Sequence, residues 1–594
     1  MIILEINFAA KYNDMILPET KTLAHLFEDC TFKYPDLTVN TMVGWTSGQT
    51  YQELKEKAGR LSILLDSYGV GSGDKVAILS AGHPNWIAAF FSATAFGRVA
   101  VPLLPDFSPS VVANVLAHSE AKALFVSAKC YEKLSAETLA ALSLVIDIDT
   151  LEPIAGNKMV EGANSSVTAA AEVGAAGAAG HAAAPAGTTA PAAESAPAPA
   201  NTIANAAAPD DLAVLIYTSG TTGNAKGVML THRNFMATLR TCYTIFVIGP
   251  EDSMLSALPL AHAYELSLGL LYPFSAGTCV YYLPKAPSPA VLTHALKVVR
   301  PTAMLVVPLI IEKVYRGAVL PRIRNSKALS LLDRICHPLL CRLVGKGMVR
   351  SFGGRIKFVG IGGAKLDVTV EQFLKTARFP YVIGYGLTEC CPLLSIAFGN
   401  RVPKAGSIGL PVHGVSMRLD NVNPATGEGE IVATGENIMK GYYKDPEKTA
   451  SVFTADGWFR TGDLGAVDKK GNYYIKGRLG NMIVGPSGEN IYPEDIEKVI
   501  MELPQVEECI VLSRQGRLVA LVKMHEEAID IAHRDKPSVM EEVEKLRAQM
   551  LGYINSRVNA SSRLSTLQFM TEPFDKTATL KIRRFVYASD APAI

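Results

Sequence analysis

The sequence predicts an α/β protein with a large N-terminal domain of parallel-type sheets with helices, followed by a small α+β domain at the C-terminal end. Its 594 residues are too many for a single hydrophobic core. Between Thr46 and Val126, helical stretches alternate with short β-branched runs, which is typical of parallel strands joined by crossover helices. Around Arg478 the alternating pattern ends and a shorter α+β pattern begins, so we predict a domain boundary there.

The N-terminal part contains a regular series of predicted elements. Helices are expected at Tyr51–Leu65 and Pro84–Phe96, and strands at Lys75–Leu79 and Val99–Leu103. Further strands are expected at Leu212–Tyr217, Cys279–Tyr282, Met304–Val307, Ile356–Ile361 and Tyr381–Tyr385. The C-terminal part is predicted to hold strands Val506–Leu512 and Leu518–Val522 and the helix Pro537–Val558.

Two segments have unusual compositions. Residues 162–209 are dominated by Ala, Pro, Gly, Ser and Thr, and they cannot bury enough apolar surface to offset the entropy of ordering, which predicts a flexible insert. The stretch from Lys327 to Val349 is predicted to be a basic, partly amphipathic helix that carries Arg334, Arg342 and Lys346, with Arg350 just beyond it. A membrane or partner contact is one interpretation of this helix, but the pattern favours a solvated face.

Composition excludes several classes of protein. The 57 basic and 56 acidic side chains leave a net charge of +1, which argues against a nucleic-acid partner. The nine cysteines lack the spacing of a zinc site or a disulfide framework and indicate reduced thiols. Residues 1–12 do not resemble a signal peptide, and the apolar run from Ile87 to Leu104 is interrupted by Gly97 and Arg98. We therefore expect a cytoplasmic protein with at most peripheral membrane contact.

The strongest local signal is a loop rich in glycine and hydroxyl residues that directly follows the predicted strand Leu212–Tyr217. It reads Thr218-Ser219-Gly220-Thr221-Thr222-Gly223-Asn224-Ala225-Lys226-Gly227. Glycines let backbone amides converge on an anion, and the hydroxyls and the ammonium add further donors, so the loop is predicted to wrap around phosphates. It is not a Walker loop, because Lys226 is followed by glycine rather than by serine or threonine.

Six further motifs follow in order along the chain. They are Pro259-Leu260-Ala261-His262, Gly360-Ile361-Gly362-Gly363-Ala364, Gly384-Tyr385-Gly386-Leu387-Thr388-Glu389, Trp458-Phe459-Arg460-Thr461-Gly462-Asp463, Gly477-Arg478 and Lys576-Thr577-Ala578-Thr579-Leu580-Lys581-Ile582. Together with the loop, they resemble the signature motifs of the adenylate-forming superfamily of acyl-CoA synthetases, luciferases and peptide-synthetase adenylation domains. The resemblance spans Thr46 to Arg584, apart from the insert.

The resemblance implies a site for ATP and Mg²⁺. The phosphates would be bound by Thr218, Ser219, Gly220, Thr221, Thr222, Gly223 and Lys226. Glu389 is the carboxylate expected to hold magnesium, together with Thr218, because Mg²⁺ at a triphosphate usually takes one or two carboxylates besides the phosphates. The adenine would lie against Tyr385, Gly386 and the loop Gly362, Gly363 and Ala364, where the backbone approaches the base closely.

The same resemblance implies the remaining roles. Asp463 would accept hydrogen bonds from the ribose hydroxyls, and Arg478 would contact ribose and phosphate. Lys581 would bridge the attacking carboxylate and the α-phosphate, where a cation stabilises the charge that develops between two anions. Thr388 and Glu389 of the central signature join it as catalytic residues, as does His262, for which a satisfied core histidine is the alternative.

The family also predicts the domain organisation: a large AMP-binding domain, 1–477, a hinge, 478–482, and a small mobile domain, 483–594. Rotation of the small domain would withdraw Lys581 and bring the loop Val484–Asn490 to the thiol tunnel. The sequence departs from the family pattern at three positions, Gly480, Asp575 and Leu580. Glycine at a hinge suits rotation.

The substrate class is indicated by two stretches. Val307–Tyr315, followed by a long helical insert before Gly354, resembles the long-chain acyl-CoA synthetase branch, and residues around Leu266–Phe274 are suitable walls for an acyl chain. We therefore predict an acid–thiol ligase that activates a medium- or long-chain fatty acid and transfers it to coenzyme A. An acyl-carrier-protein ligase or an acyl-AMP ligase remains an alternative, as does a non-catalytic nucleotide- or acyl-binding protein.

Overall fold

The fold was analysed in a computed structural model, which describes residues 20–156, 207–218, 226–399, 404–484, 490–525, 537–576 and 582–587. Apart from its last three residues, the insert predicted at 162–209 lies outside these ranges. No helix in the described ranges is long and apolar enough to cross a membrane.

The first sheet has eight strands and is mainly parallel. Its strands, in spatial order, are Gly441–Tyr442, Lys226–Thr231, Leu212–Thr218, Val99–Leu103, Lys75–Leu79, Ala121–Val126, Leu144–Asp147 and Pro153–Gly156. The helix Trp86–Thr94 packs on this sheet and is buried at every position, as expected for a helix that is apolar all round. The strands predicted at Lys75–Leu79 and Val99–Leu103 have those bounds in the structure.

The second sheet has nine strands, six of which run parallel to one another. Its strands, in spatial order, are Leu410–Pro411, Ser395–Phe398, Tyr381–Tyr385, Phe358–Ile361, Ala303–Val306, Ser253–Ser256, Cys279–Tyr282, Thr38–Met42 and Gln49–Thr50. The strand predicted at Ile356–Ile361 begins two residues later than expected, and the one predicted at Met304–Val307 begins one residue earlier. The predicted α/β fold class is confirmed.

The α-helices of this part surround the two sheets. They are Leu23–Lys33, Tyr51–Ser67, Trp86–Thr94, Pro109–Ser119, Ala128–Tyr131, Ala136–Ala140, His232–Ile245, Tyr272–Ser275, Pro289–Val299, Pro308–Val314, Leu320–Asn325, Lys327–Ser351, Val368–Thr376 and Pro446–Ser451. Two π-helical segments, Glu265–Leu271 and Tyr315–Val319, interrupt the series. The largest hydrophobic cluster contains side chains of both sheets, for example Val214 and Leu305, so one core joins them.

A third sheet has four antiparallel strands from the later part of the chain. Its strands are Val415–Asp420, Gly429–Gly435, Phe459–Val467 and Tyr473–Arg478. The register of the last two strands places Asp463 directly opposite Arg478. Two predicted site residues are therefore neighbours across a strand pair.

The C-terminal elements have hydrophobic clusters of their own, whose members all lie beyond residue 482. The strands are Ile483–Val484, Asn490–Ile491, Val506–Arg514, Arg517–Met524 and Thr566–Met570, and the α-helices are Pro493–Ile500, Pro537–Asn555 and Arg584–Tyr587. The predicted hinge contains a 3-10 turn, Leu479–Asn481, and a Cβ on Gly480 would meet no atom within 4 Å. The division at 478–482 stays a prediction.

One buried carboxyl group gives the fold an expected pH dependence. Glu265 is fully buried in a π-helical segment, where Ser256 Oγ donates to its Oε1 over 2.6 Å and its Oε2 has no hydrogen-bond partner among the residues that the structure describes. A Cβ on residue 269 would lie 2.6 Å from Glu265 Cδ, so Gly269 makes room for the carboxyl group. Burial raises the pKa of Glu265 from its ordinary 4.5 to about 8, although the bond from Ser256 opposes the shift.

We expect Glu265→Gln to flatten the pH dependence of stability. Because the pKa is raised in the folded state, the stabilisation is fully present below about pH 4.5 and is lost as pH rises through about 8. The slope is at most roughly 1.4 kcal/mol per pH unit. The Tm difference between the variant and the wild type should therefore grow in favour of the variant from pH 5.5 to pH 8, as measured by thermal melting. Parallel pH profiles, as expected for the exposed control Glu56→Gln, would contradict this assignment.

Candidate active site

The predicted phosphate loop joins two neighbouring strands of the first sheet. Thr218 ends the strand Leu212–Thr218, Lys226 begins the next strand, and the two residues are register partners. The intervening site residues lie outside the described parts of the chain: Ser219, Gly220, Thr221, Thr222 and Gly223. The base of the loop is therefore defined by Thr218 and Lys226, which pair across the two strands.

Lys226, Tyr442 and Glu389 form a group beside the base of this loop. The Lys226 ammonium lies 5.7 Å from the centre of the Tyr442 ring, and the Tyr442 hydroxyl donates to Glu389 Oε1 over 2.9 Å. Partial burial and the charge of Lys448 lower the pKa of Lys226, whereas Glu389 and Asp445 act in the opposite direction. One tyrosine thus contacts both the predicted phosphate-binding lysine and the predicted metal-binding carboxylate.

Asp463 accepts two hydrogen bonds, one from the second sheet and one from a neighbouring strand of the third sheet. The Tyr385 hydroxyl donates to Asp463 Oδ2 over 2.8 Å, and Arg478 Nε donates to Asp463 Oδ1 over 2.7 Å. Asp463 is buried, while the Arg478 side chain is about half exposed. Burial, followed by the nearby Asp463 charge, raises the pKa of Tyr385, so this hydroxyl stays protonated and remains a donor.

The glycines of the predicted adenine loops lie at the carboxyl ends of parallel strands. Gly362 and Gly363 follow the strand Phe358–Ile361, and Gly363 has a φ of +86° that other residues rarely adopt. A Cβ on residue 386 would lie 1.7 Å from the carbonyl oxygen of Pro392, so only glycine fits there. Ala364 is exposed beside Gly363. The carboxyl edge of an α/β sheet is where such folds bind ligands.

A cavity of about 850 Å³, counting its open mouth, begins at this edge. His262, Gly362, Gly363, Tyr385, Gly386 and Thr388 all line it. His262 follows the strand Ser253–Ser256, and its Nδ1 accepts a bond from the Tyr264 amide over 3.3 Å. The structure therefore brings together the predicted adenine-side glycines, the central signature and the predicted carboxylate-side histidine around one space.

Three parallel strands form the floor of the cavity. Alternate residues of a strand point to the same face, and the lining residues alternate in this way. They are Ala303 and Leu305 on one strand, Phe358, Gly360 and Gly362 on and after the next, and Val382, Gly384 and Gly386 on and after the third. On the second and third of these strands, glycines occupy the carboxyl half, whereas Phe358 and Val382 occupy the amino half, so the space beside these two strands is open near the signature motifs and narrows away from them.

The opposite wall comes from helices and is apolar. Thr231 caps the helix His232–Ile245 by accepting from the amide of Asn234, which fixes where this helix starts above the sheet. Cys242, Ile245, Phe246, Ile248, Leu268 and Tyr272 line the wall, whereas Met254 lines the cavity from the sheet, on the strand beside Ala303. Leu268 and Tyr272 belong to the predicted wall Leu266–Phe274, whereas the helix His232–Ile245 and the loop after it were not anticipated.

Two aromatic rings meet at the amino ends of the floor strands. Phe246 and Phe358 stack with their ring centres 4.3 Å apart and their planes inclined by 22°. Phe358 begins its strand, whereas Gly362 lies beyond the end of the same strand, so the stack and the signature motifs lie at opposite ends of the cavity. A separation of four strand residues corresponds to roughly 13 Å.

Sequence reasoning missed several residues of this site. Tyr442 lies on a two-residue strand, and nothing in the sequence around it marks a polar contact. Phe246 and Phe358 are ordinary apolar residues whose meeting depends on how a helix packs on a sheet. Lys581 lies outside the described residues, and its role stays a prediction.

The sequence profile of the AMP-binding enzyme family matches residues 27–443, which is more than two thirds of the chain and includes the loop and the central signature. The chain belongs to this family. The match ends before Asp463, Arg478 and Lys581, so the profile does not extend to those three positions.

Named relatives agree with this membership, and a solved structure has a similar fold. The chain is 28% identical over 600 residues to a long-chain-fatty-acid–CoA ligase of Mycobacterium tuberculosis, covering 93% of this chain and 92% of the relative. It is 30% identical over 471 residues to a feruloyl-CoA synthase of Amycolatopsis, covering 78% and 80%. Its fold resembles the o-succinylbenzoate CoA synthetase of Bacillus subtilis solved with an acyl-adenylate intermediate, with a TM-score of 0.70, 21% identity and coverage of 95% and 98%.

Proposed function

We propose that this member of the AMP-binding family is an ATP-dependent acid–thiol ligase. It activates a medium- or long-chain fatty acid as an acyl-adenylate with release of pyrophosphate, and then transfers the acyl group to coenzyme A. The observation that carries this proposal is the cavity, which has the signature motifs at one end and an apolar lining along the rest of its length. Such a space suits a substrate with one charged end and a long apolar tail.

The proposed nucleotide site uses the residues at the carboxyl edge. The adenine lies against Tyr385 and Gly386 and beside Gly362, Gly363 and Ala364. The ribose hydroxyls donate to Asp463, whose two carboxylate oxygens have further acceptor capacity beyond their bonds with Tyr385 and Arg478. Since Arg478 donates to Asp463 and is still about half exposed, the same side chain is available to the ribose and phosphate.

The proposed phosphate and magnesium site adjoins it. Lys226 and the loop 218–223 bind the phosphates, while Glu389 and Thr218 hold Mg²⁺. Carboxylate and hydroxyl oxygens are the hard ligands that Mg²⁺ takes alongside phosphates, so this donor set fits the metal. When bound, the metal would neutralise charge on the phosphate oxygens. The protein itself holds Glu389 in position through the hydroxyl of Tyr442. The ring of the same tyrosine lies beside the Lys226 ammonium.

The proposed chemistry has two steps. A carboxylate oxygen of the acid attacks the α-phosphorus of ATP, the bond to the bridging oxygen breaks, and pyrophosphate leaves. A thiolate then attacks the acyl carbon, and AMP leaves. Lys581, Thr388, Glu389 and His262 are proposed to act at the reacting groups, with Lys581 between the two anions in the first step. A hinge at 478–482, between domains 1–477 and 483–594, would exchange Lys581 for the loop Val484–Asn490 between the steps.

The proposed acid is fatty rather than short or strongly polar. Most side chains along the cavity are aliphatic or aromatic, and those at its amino end are Ala303, Phe358 and Val382. Each methylene group buried there contributes about 0.8 kcal/mol, so affinity should rise with chain length until the chain reaches the Phe246–Phe358 stack. An aromatic acid such as ferulate would fill only part of this length.

ATP–pyrophosphate exchange with acids of graded chain length tests the proposal. We expect exchange to increase with chain length, and AMP release to be stimulated by coenzyme A. Stimulation by acyl carrier protein alone would identify a carrier-protein ligase, and exchange without any thiol-stimulated AMP release would identify an acyl-AMP ligase. Absence of exchange with every acid would overturn the proposed function and favour a binding protein.

We expect Tyr442→Phe to weaken the binding of Mg²⁺ at the proposed site while leaving the fold intact. The variant keeps the ring beside Lys226 but loses the hydroxyl that donates to Glu389. Groups that orient a metal ligand typically contribute about 10- to 100-fold to metal affinity. The Mg²⁺ concentration that gives half-maximal exchange should therefore rise by about tenfold or more.

Tyr474→Phe is the matched control, since that hydroxyl donates to Asp468, away from Glu389. Its magnesium dependence should equal that of the wild type. An unchanged magnesium dependence in Tyr442→Phe would show that the hydroxyl does not position Glu389.

A further inference from the structure

The helix Lys327–Ser351 lies outside the proposed active site and has an unusual surface. It is bent at Cys336, whose φ of −151° and ψ of 72° are not helical, and Pro338 lies within it. Proline removes an amide donor and clashes with the preceding turn, which accounts for the bend. Leu340, Cys341, Gly345 and Met348 bury one side of the second half. The opposite side is left to solvent.

Four large apolar side chains on this helix are exposed instead of buried. Leu331 is 58% exposed, Ile335 73%, Leu339 46% and Leu343 49%. Residues four apart lie on one face of a helix, so each half of the bent helix carries one exposed apolar pair. The sequence favoured a solvated face for this segment, and the structure shows that this exposed face carries a concentration of apolar surface. Such concentrations mark contact surfaces.

Basic side chains surround these apolar pairs. Seven exposed lysines and arginines lie on this helix and on the preceding helix Leu320–Asn325: Arg322, Arg324, Lys327, Arg334, Arg342, Lys346 and Arg350. Across the described ranges, none of the seven forms an ion pair with an acidic side chain. Asp333 is the one acidic residue of the two helices, and it pairs with His337 at 2.6 Å. The surface therefore carries a large excess of positive charge.

We propose that these two helices form a docking surface for an anionic lipid bilayer, here called the basic helix surface and defined as residues 320–351. The leucines and isoleucine enter the headgroup boundary, and the lysines and arginines contact lipid phosphates and carboxylates. A nucleic acid would satisfy the charges but offers no partner for the exposed apolar pairs. Apolar insertion combined with basic charge is the arrangement that suits a membrane surface.

Cosedimentation of the full-length protein with vesicles tests this proposal. We expect binding to vesicles of phosphatidylcholine mixed with phosphatidylserine, weaker binding to phosphatidylcholine alone, and a loss of the difference at high salt. The variant Arg334→Glu/Arg342→Glu/Lys346→Glu should bind the mixed vesicles about 100-fold more weakly, since each basic residue near the surface contributes about fivefold. The affinity of Ile335→Glu/Leu339→Glu for the mixed vesicles should fall by on the order of 100-fold, because two apolar contacts with the lipid are removed.

Two control variants separate this surface from general effects of charge and exposure. Arg60→Glu/Lys129→Glu/Lys133→Glu makes the same change of charge elsewhere, and Val422→Glu alters an apolar residue that is 47% exposed on another surface. Both should bind like the wild type. Equal losses in the control and test variants, equal binding to neutral and anionic vesicles, or binding to neither would each overturn the proposal. Because the readout is binding, its failure would leave the proposed ligase function unaffected.

Discussion

Asp463→Asn is expected to lower kcat/KM for ATP by about 10²- to 10³-fold. Hydrogen bonds to a charged partner contribute roughly 1.5–3 kcal/mol each, and the proposed ribose contact uses the same carboxylate that holds Tyr385 and Arg478. The carboxamide keeps the shape of the side chain but replaces one acceptor oxygen with a donor. In the variant, the amide NH₂ group therefore lies opposite the donor of Arg478 or Tyr385, where an acceptor is needed. The side chain also loses the negative charge that favours hydrogen bonds from the two ribose hydroxyls.

The matched control is Asp420→Asn. Asp420 lies in the same four-stranded sheet and pairs with Arg460 at 2.9 Å, but it has no contact with Tyr385 or Arg478. Its kinetics with ATP should be close to those of the wild type, measured as initial rates of pyrophosphate release at varied ATP. Wild-type kcat/KM in Asp463→Asn would remove Asp463 from the proposed nucleotide site.

Gly384→Val is expected to reduce activity with long-chain acids by about 100-fold and to leave short acids little changed. Gly384 is part of the cavity floor, and a Cβ there would lie 3.3 Å from Leu393 Cδ1, so the end of the Leu393 side chain must shift slightly to admit the substitution. The added methyl groups project into the space proposed for the acyl chain. If about four methylene groups can no longer be buried, roughly 3 kcal/mol of hydrophobic binding energy is lost, which corresponds to the expected 100-fold decrease in activity.

The measurement compares pyrophosphate release with butanoate and with hexadecanoate. Gly59→Val serves as the control, since a Cβ on that helical residue meets no atom within 4 Å and lies away from the cavity. Its preference for chain length should be unchanged. A Gly384→Val enzyme that keeps the wild-type ratio of the two activities would contradict the proposed path of the acyl chain.

The strands of the fold were largely predictable from local sequence. Lys75–Leu79, Val99–Leu103, Cys279–Tyr282 and Tyr381–Tyr385 are short β-branched or aromatic runs bounded by clear breaks, and all four have the predicted bounds. Signature residues that follow such strands converge because the carboxyl ends of parallel strands share one edge. This explains why His262, Gly362 and Tyr385 line a single cavity.

Contacts between distant elements were not predictable in this way. The hydroxyl bond from Tyr442 to Glu389 joins residues 53 positions apart, and the stack of Phe246 on Phe358 depends on the packing of a helix above the sheet. The exposure of Ile335 is likewise a property of the bent helix and its neighbours, since hydrophobicity alone predicts burial. Sequence motifs identified the chemistry, whereas tertiary packing determined the shape of the acyl cavity.

In the proposed function, the protein joins a fatty carboxylate to the α-phosphorus of ATP. A fatty acid labelled with ¹⁸O in its carboxyl group, incubated with enzyme, ATP, Mg²⁺ and coenzyme A, tests it most directly by mass spectrometry of the products. AMP is expected to carry one labelled oxygen and pyrophosphate none. Label in pyrophosphate or inorganic phosphate, or unlabelled AMP formed together with thioester, would contradict it.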